Sequence, residues 1–315
     1  MARYRGSLPQ TDGRPFVTDG GIETTLIFHD GLELPDFAAF DLLDRPGGDA
    51  ALRKYFRSYA AIARDLGVGL ILESATWRAS SDWGTRLGYS REKLERVNRR
   101  AIALLEEIRA EVESDRTRVV ISGCVGPRGD GYSPSTVMSA SGAEAYHREQ
   151  IETFADTAAD MVTAITMNYA DEATGIARAA RAAAMPVVLS FTVETDGNLP
   201  TGQPLRDAIA EVDDATSGYP SYYMINCAHP QHFEHVLVGD PVSDRVRGLR
   251  ANASTKSHAE LNESPTLDMG DPAALGNDHA RIKKHLPSLN VLGGCCGTDH
   301  RHVARIAEAC LPLFG

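Results

Sequence analysis

Eight short runs rich in β-branched and apolar residues, separated by helix-patterned segments, constrain this chain more than any other feature. The runs are Pro15 to Thr18, Val68 to Leu72, Arg118 to Ser122, Met161 to Ile165, Val187 to Phe191, Tyr222 to Ile225, Val246 to Leu249 and Asn290 to Leu292. Between them, Leu52, Tyr55, Phe56, Tyr59, Ile62, Ala63 and Leu66, and then Leu94, Val97, Ala101, Leu104, Leu105 and Ile108, are spaced to line one helix face each. Strand followed by helix, repeated eight times, predicts an α/β protein built as a single (β/α)8 TIM barrel over residues 1–315, with an open doubly wound sheet as the rival. The count of eight favours the barrel. The polar stretch over 251–278, dotted with Gly, Pro, Asn and Asp, is expected as one long loop.

Several function classes are disfavoured early. Lys plus Arg total 32 against 43 for Asp plus Glu, a formal net charge of −11, and no basic run offsets it. Nucleic acid and anionic membrane surfaces are therefore poor partners. No window approaches the ~18 uninterrupted apolar residues of a spanning helix, and Met1 to Arg14 lacks an apolar core, so an unexported, cytoplasmic protein is expected. The first strand runs into Thr18-Asp19-Gly20-Gly21-Ile22 rather than a dinucleotide fingerprint, and no Walker loop occurs, which disfavours nucleotide cofactors. Five cysteines, an odd and sparse set, suggest reduced thiols.

Chemistry on such a barrel collects where the strands end. The polar residues there are Asp19, Glu73, Thr76, Cys124, Cys227, Asn252, Cys295 and Cys296. Cys227 closes the sixth run, and Gly293-Gly294-Cys295-Cys296-Gly297-Thr298 closes the eighth. A closed barrel makes these strand ends near neighbours, and three thiolates suit Zn2+ while leaving one coordination position open, the arrangement of a catalytic rather than a structural zinc. A vicinal disulfide or simple burial would be the plainer reading. The flanking glycines, free to take φ values closed to other residues, favour convergence. His229 could supply a fourth ligand, although Pro230 gives it an adequate role at a helix start. His300 and His302 are expected at the surface. Cys310 falls on an apolar helix face with Val303, Ile306, Ala307 and Leu311, and Cys124 stays open between packing and function.

The segments Asp19-Gly20-Gly21, Asn226-Cys227 and Gly293 to Thr298, followed by His302-Val303, resemble the homocysteine S-methyltransferase family from about Pro15 to about Ala309. That family includes betaine– and S-methylmethionine–homocysteine methyltransferases and the homocysteine module of cobalamin-dependent methionine synthase. The resemblance implies a zinc-holding barrel with Cys227, Cys295 and Cys296 as ligands, transferring a methyl group to a thiol, with homocysteine giving methionine as the first expectation. It associates Asp19 with the acceptor's amino group. Gly20 and Gly21 are expected as a backbone nest for a carboxylate, and Thr76, Asn226 and Asn252 lie near the pocket.

Two departures stand out. Where the family commonly carries a glutamate after the fourth strand, this chain has Ile165. Losing a charge-assisted contact weakens or redirects amino-acid recognition by roughly 1.5–3 kcal/mol unless Asp19 or Glu194 compensates. Arg78 stands where relatives carry a neutral residue beside the donor, and it would repel a cationic donor or pair with a donor's carboxylate. Beside it, Trp77 offers either core packing or a cation-attracting ring. No corrinoid-binding stretch is recognised. A self-contained enzyme using a sulfonium or betaine donor, a subunit served by a separate methyl-corrinoid protein, and a non-catalytic zinc-holding barrel all remain open. Oligomeric state is not legible.

Overall fold

A computed structural model describes residues 1–134, 137–264 and 266–314. Eight parallel strands close on themselves in sequence order. They are β1 Phe16–Val17, β2 Gly69–Glu73, β3 Val119–Val125, β4 Met161–Met167, β5 Val187–Phe191, β6 Tyr222–Asn226, β7 Val246–Ala251 and β8 Val291–Gly294. The principal helices are α1 Gly48–Leu66, α2 Arg91–Val112, α3 Ala140–Ala155, α4 Ala170–Ala182, α5 Leu205–Thr216, α6 Pro230–Leu237, α7 Pro272–His285 and α8 His300–Cys310. This is the (β/α)8 barrel expected from the alternation.

Local chemistry sets the helix starts. Ser90 and Ser139 accept from the backbone of Lys93 and Gly142, Asp271 caps α7 with Pro272 behind it, and Asp299 caps α8. The apolar stripes of α1 and α2 face the sheet, where Leu52, Tyr55, Phe56 and Tyr59, and Leu94, Val97, Leu105 and Ile108, are buried.

Strand alternation divides the sheet's residues between two cores. Outward side chains join the helices in one large cluster that includes Leu70, Ile121, Val162, Leu189, Ile225 and Leu249. Inward side chains form a second, smaller cluster from Phe16, Ile71, Val120, Met161, Val188, Tyr222, Met224 and Val291, closed from below by Leu8. One pleat further along the strands the inward positions become polar: Glu73, Ser122, Thr163, Ser190, Asn226 and Arg250. All are buried. Pairing of the Ser122 and Thr163 hydroxyls at 2.7 Å, and donation by Ser190 Oγ to Asn226 Oδ1 at 2.7 Å, satisfy part of this layer. The barrel therefore has a dry base and a polar top, on which the rim loops sit.

The stretch over 251–278 is not one loop. Ala251 ends β7, His258–Asn262 forms a helical turn with a Ser257/Glu260 capping box, and Pro272–His285 is α7. The capping residues Ser257 and Asp271 nucleate structure inside a composition that looks irregular. None of the described helices is long and apolar enough to cross a membrane.

Candidate metal centre

Strand ends β6 and β8 bring three sulfurs together: Cys227, Cys295 and Cys296 have Sγ atoms all within 4.8 Å of one another. Tetrahedral zinc with bonds of about 2.3 Å places its sulfurs about 3.8 Å apart, so the cluster is compact enough for such an ion once Cys227 and Cys295 are parted as thiolates. Here the sulfurs of Cys227 and Cys295 are paired with each other, with Cα atoms 5.3 Å apart, while Cys296 is free. The two side chains are aimed at the same point, and a metal there requires both as thiolates.

Each sulfur is positioned by backbone geometry. Cys227 has a left-handed backbone with φ of 55°, rare for a residue with a Cβ. Its N–H donates to Arg250 O at 3.1 Å, and its carbonyl accepts from Asn252 Nδ2 at 2.9 Å and His258 Nε2 at 2.5 Å. In the eighth-strand loop only Gly297 has positive φ, 78°. Gly294 is needed for a different reason, close approach, because a Cβ there would lie 2.0 Å from Thr298 Oγ1. Cys295 N bonds Ala251 O at 2.8 Å, and Thr298 Oγ1 donates to Cys295 O at 2.7 Å.

Around the sulfurs stand residues that sequence reasoning did not single out. Tyr132 OH is 3.8 Å from Cys296 Sγ, and its ring packs on His258 with centroids 4.3 Å apart. His258 also meets Glu194 at 3.1 Å, so Glu194 is already engaged. Thr166 Oγ1 lies 4.0 Å from Cys227 Sγ. Thr166 too is left-handed, φ 67°, held by Asn226, whose Oδ1 accepts Thr166 N and whose Nδ2 donates to Thr166 Oγ1, both at 2.9 Å.

Beneath the metal loops Arg250 reaches past β8 to the end of β1. Its Nη2 is 2.6 Å from Asp19 Oδ1 and 3.3 Å from Gly20 O, and Tyr55 OH donates to Asp19 Oδ2 at 2.9 Å. Burial raises Asp19, opposed by Arg250 and Tyr55. Glu73 is only 4% exposed, and neither of its oxygens has a partner among the described residues. Burial pushes it up to about 7 against the pull of Arg250. A charged residue at an inward position of β7 was the available signal for this network.

The expected substrate residues divide into distinct surroundings. Thr76 is fully buried, donating to Cys124 O at 2.8 Å. Asn226 braces Thr166 and Ser190, and Asn252 holds Cys227 while its Oδ1 is unpartnered. Gly21 spends its N–H on Thr298 O at 3.0 Å, and a Cβ on Gly20 would meet Tyr59 OH at 2.8 Å. Ile165 is buried and its carbonyl accepts from Trp77 Nε1 at 3.2 Å. Arg78 is 6% exposed, its guanidinium carbon 4.0 Å and 3.8 Å from the ring centroids of Trp77 and Trp83.

Five histidine and cysteine readings are settled by packing. His229 is the cap of α6, its Nδ1 accepting from Gln231 N at 3.3 Å, and it is absent from the sulfur cluster; burial lowers it to about 4. His302 is fully buried rather than at the surface, bonded to Asp299 and, through Nε2, to Met269 O at 2.8 Å. It completes the α8 capping box, a role invisible to a face-counting rule. His300 is exposed. Cys310 lies in the main core, and Cys124 is buried apart from the cluster.

The homocysteine S-methyltransferase family profile matches residues 16–310. Homocysteine S-methyltransferase 4 of Zea mays is 25% identical over 317 residues, covering 93% of this chain and 88% of that one. Two crystal structures of the Escherichia coli homocysteine methyltransferase MmuM superpose on the fold. The metallated form has a TM-score of 0.71 at 18% identity, covering 94% of this chain and 97% of that one. The oxidised form gives 0.72 at 19% identity, covering 94% and 96%. With the barrel, the three-sulfur cluster and a profile spanning nearly the whole chain, this protein belongs to the homocysteine S-methyltransferase family and is a methyltransferase.

Proposed function

We propose that the protein is a zinc-dependent thiol S-methyltransferase, with homocysteine as acceptor, methionine as product and a small sulfonium or betaine as methyl donor. The observation that carries this reading is the convergence of Cys227, Cys295 and Cys296, with no fourth protein ligand in the cluster among the described residues. A zinc ion held by three thiolates with one position open keeps an incoming thiol deprotonated, and hence nucleophilic, at neutral pH. Without metal, burial and then the charge of Glu23 push Cys296 up to about 11.

The protein's own groups do the rest. Asp19, Gly20 and Gly21 form the floor beside the metal loop, with Asp19 fixed by Arg250 and Tyr55. Asn226 and Asn252 hold the strand ends that carry Thr166 and Cys227, and Thr76 fixes the β2 loop. In-line alignment of acceptor sulfur, methyl carbon and leaving group falls to the rim loops. A screen of the zinc-loaded protein, crossing thiol acceptors with sulfonium, betaine and methyl-corrinoid donors, tests the reading. Methionine formed from homocysteine and a small cationic donor is expected. Turnover only with a methyl-corrinoid protein would replace the donor assignment, and no turnover with any pair would leave a metal-holding barrel.

A further inference from the structure

Of the carboxylates near the metal loops, several are occupied or enclosed. Asp19 is paired with Arg250, Glu194 is engaged by His258, and Glu73 is sealed inside the barrel. Glu23 is different. It sits on the turn Ile22–Thr24, half-buried, and among the described residues it joins no ion pair and accepts no hydrogen bond from another residue, only one from its own backbone. That turn is docked on the metal loop from both sides, by Gly21 N to Thr298 O at 3.0 Å and by Gly297 N to Thr24 Oγ1 at 3.2 Å. Burial pushes the Glu23 carboxyl up to about 7, and its charge when ionised acts on Cys296, Tyr132 and Arg78, groups on three different rim loops, in keeping with the docking of its turn on the metal loop.

Arg78 stands on the loop after β2. Two indoles hold its guanidinium, Nη1 donates to Gly129 O at 3.0 Å, and Nε is buried without a partner among the described residues. Asp130 exerts the larger electrostatic pull on Arg78 and Glu23 the next, but Asp130 makes no ion pair with it and its Oδ1 accepts from the backbone N–H groups of Tyr132 and Ser133, each at 2.8 Å. Glu23 and Arg78 sense each other's charge yet form no ion pair within 4.0 Å. Two opposite charges on rim loops that both adjoin the Cys296 and Tyr132 contact, not paired with each other, match a ligand that carries both signs.

We propose that Glu23 and Arg78 form a split-charge clamp for an α-amino-acid headgroup, Glu23 taking the ammonium and Arg78 the carboxylate. This rests on the methyltransferase reading and deepens it by assigning the two side chains that recognise the headgroup of an amino-acid reactant, whether the thiol acceptor or a sulfonium donor.

The test is calorimetric binding to the zinc-loaded, reduced protein, independent of turnover. Homocysteine and S-methylmethionine are each compared with analogues lacking the amino group or lacking the carboxylate, in wild type, Glu23→Gln and Arg78→Met. For at least one reactant, wild type is expected to prefer the full amino acid by about tenfold to a hundredfold. Glu23→Gln should collapse the preference over the des-amino analogue, and Arg78→Met the preference over the des-carboxy analogue. The reactant whose preference collapses is the one clamped. Unchanged preferences in Glu23→Gln for both reactants, or no preference in wild type, would overturn the proposal. Because Trp77 and Trp83 pack on Arg78, Arg78→Lys provides the folded control, retaining charge with weaker discrimination. Headgroup discrimination with no methyl transfer to any thiol would instead count against the enzyme assignment and leave the clamp standing.

Discussion

Arg250 Nη2 lies 2.6 Å from Asp19 Oδ1, joining the end of β7 to the end of β1 past β8, with both side chains nearly sealed from solvent. The pair gives the residues after β1, including the glycines that touch the metal loop, a fixed anchor. Such a contact stabilises position more than it stabilises the fold, because two charges must leave water to form it.

Breaking that pair from one side should be costly. Arg250→Met leaves Asp19 and Glu73 as uncompensated buried carboxylates, and a loss of about 3–5 kcal/mol is expected in urea denaturation. In the double variant Asp19→Asn with Arg250→Met, the loss should fall well below the sum of the single losses. Additive losses would mean the two charges do not interact energetically.

The three sulfurs should be separable from the fold. Cys295→Ser is expected to lower zinc affinity by more than about 100-fold and abolish turnover, with an unchanged far-ultraviolet spectrum. The reason is location, since the sulfurs sit on the rim while the cores lie below and outside the sheet. Metal content by mass spectrometry and circular dichroism on one sample decide it, and full zinc occupancy with normal turnover would contradict the assignment.

Glu73 should give stability a pH signature. Its folded value of about 7 lies above the ordinary glutamate value of 4.5, so the native state holds a proton that the unfolded chain releases first. Stability from this group is therefore full below about pH 4.5 and declines as pH rises toward 7. Glu73→Gln removes the decline, gaining up to ~3 kcal/mol over wild type at pH 8 and nothing at pH 4.5. Parallel stability curves for the two proteins from pH 4.5 to 8 would refute it.

Asn226 is the strut that keeps Thr166 left-handed beside Cys227. Asn226→Ala should cost about 1–3 kcal/mol of stability and lower zinc affinity about 10–100-fold. Asn226→Asp, which retains the acceptor for Thr166 N and Ser190, should fall between. Zinc affinity equal to wild type in the alanine variant would show that Cys227 needs no such support.

The legible and the illegible parts of this protein divide along one physical line. Strand and helix periodicity are local, so eight strands and their helices could be read from residues alone, and the run at 187–191 matches β5 to the residue. Cys227, Cys295 and Cys296 were legible because strand ends of a closed barrel must converge, and Cys310 because its neighbours share an apolar face. The 251–278 stretch misled because the Ser257 and Asp271 caps carry structure that composition hides. His302 misled because its burial depends on Met269, distant in sequence.

What only tertiary structure decided is which charges find partners. The sequence determined that acids and arginines crowd the rim, but closure of the barrel decides that Arg250 pairs with Asp19, that Glu73 is enclosed, and that Glu23 and Arg78 form no ion pair with each other. Periodicity is set by the backbone's own geometry, whereas ion pairing depends on separations between segments far apart along the chain, fixed only once the barrel closes.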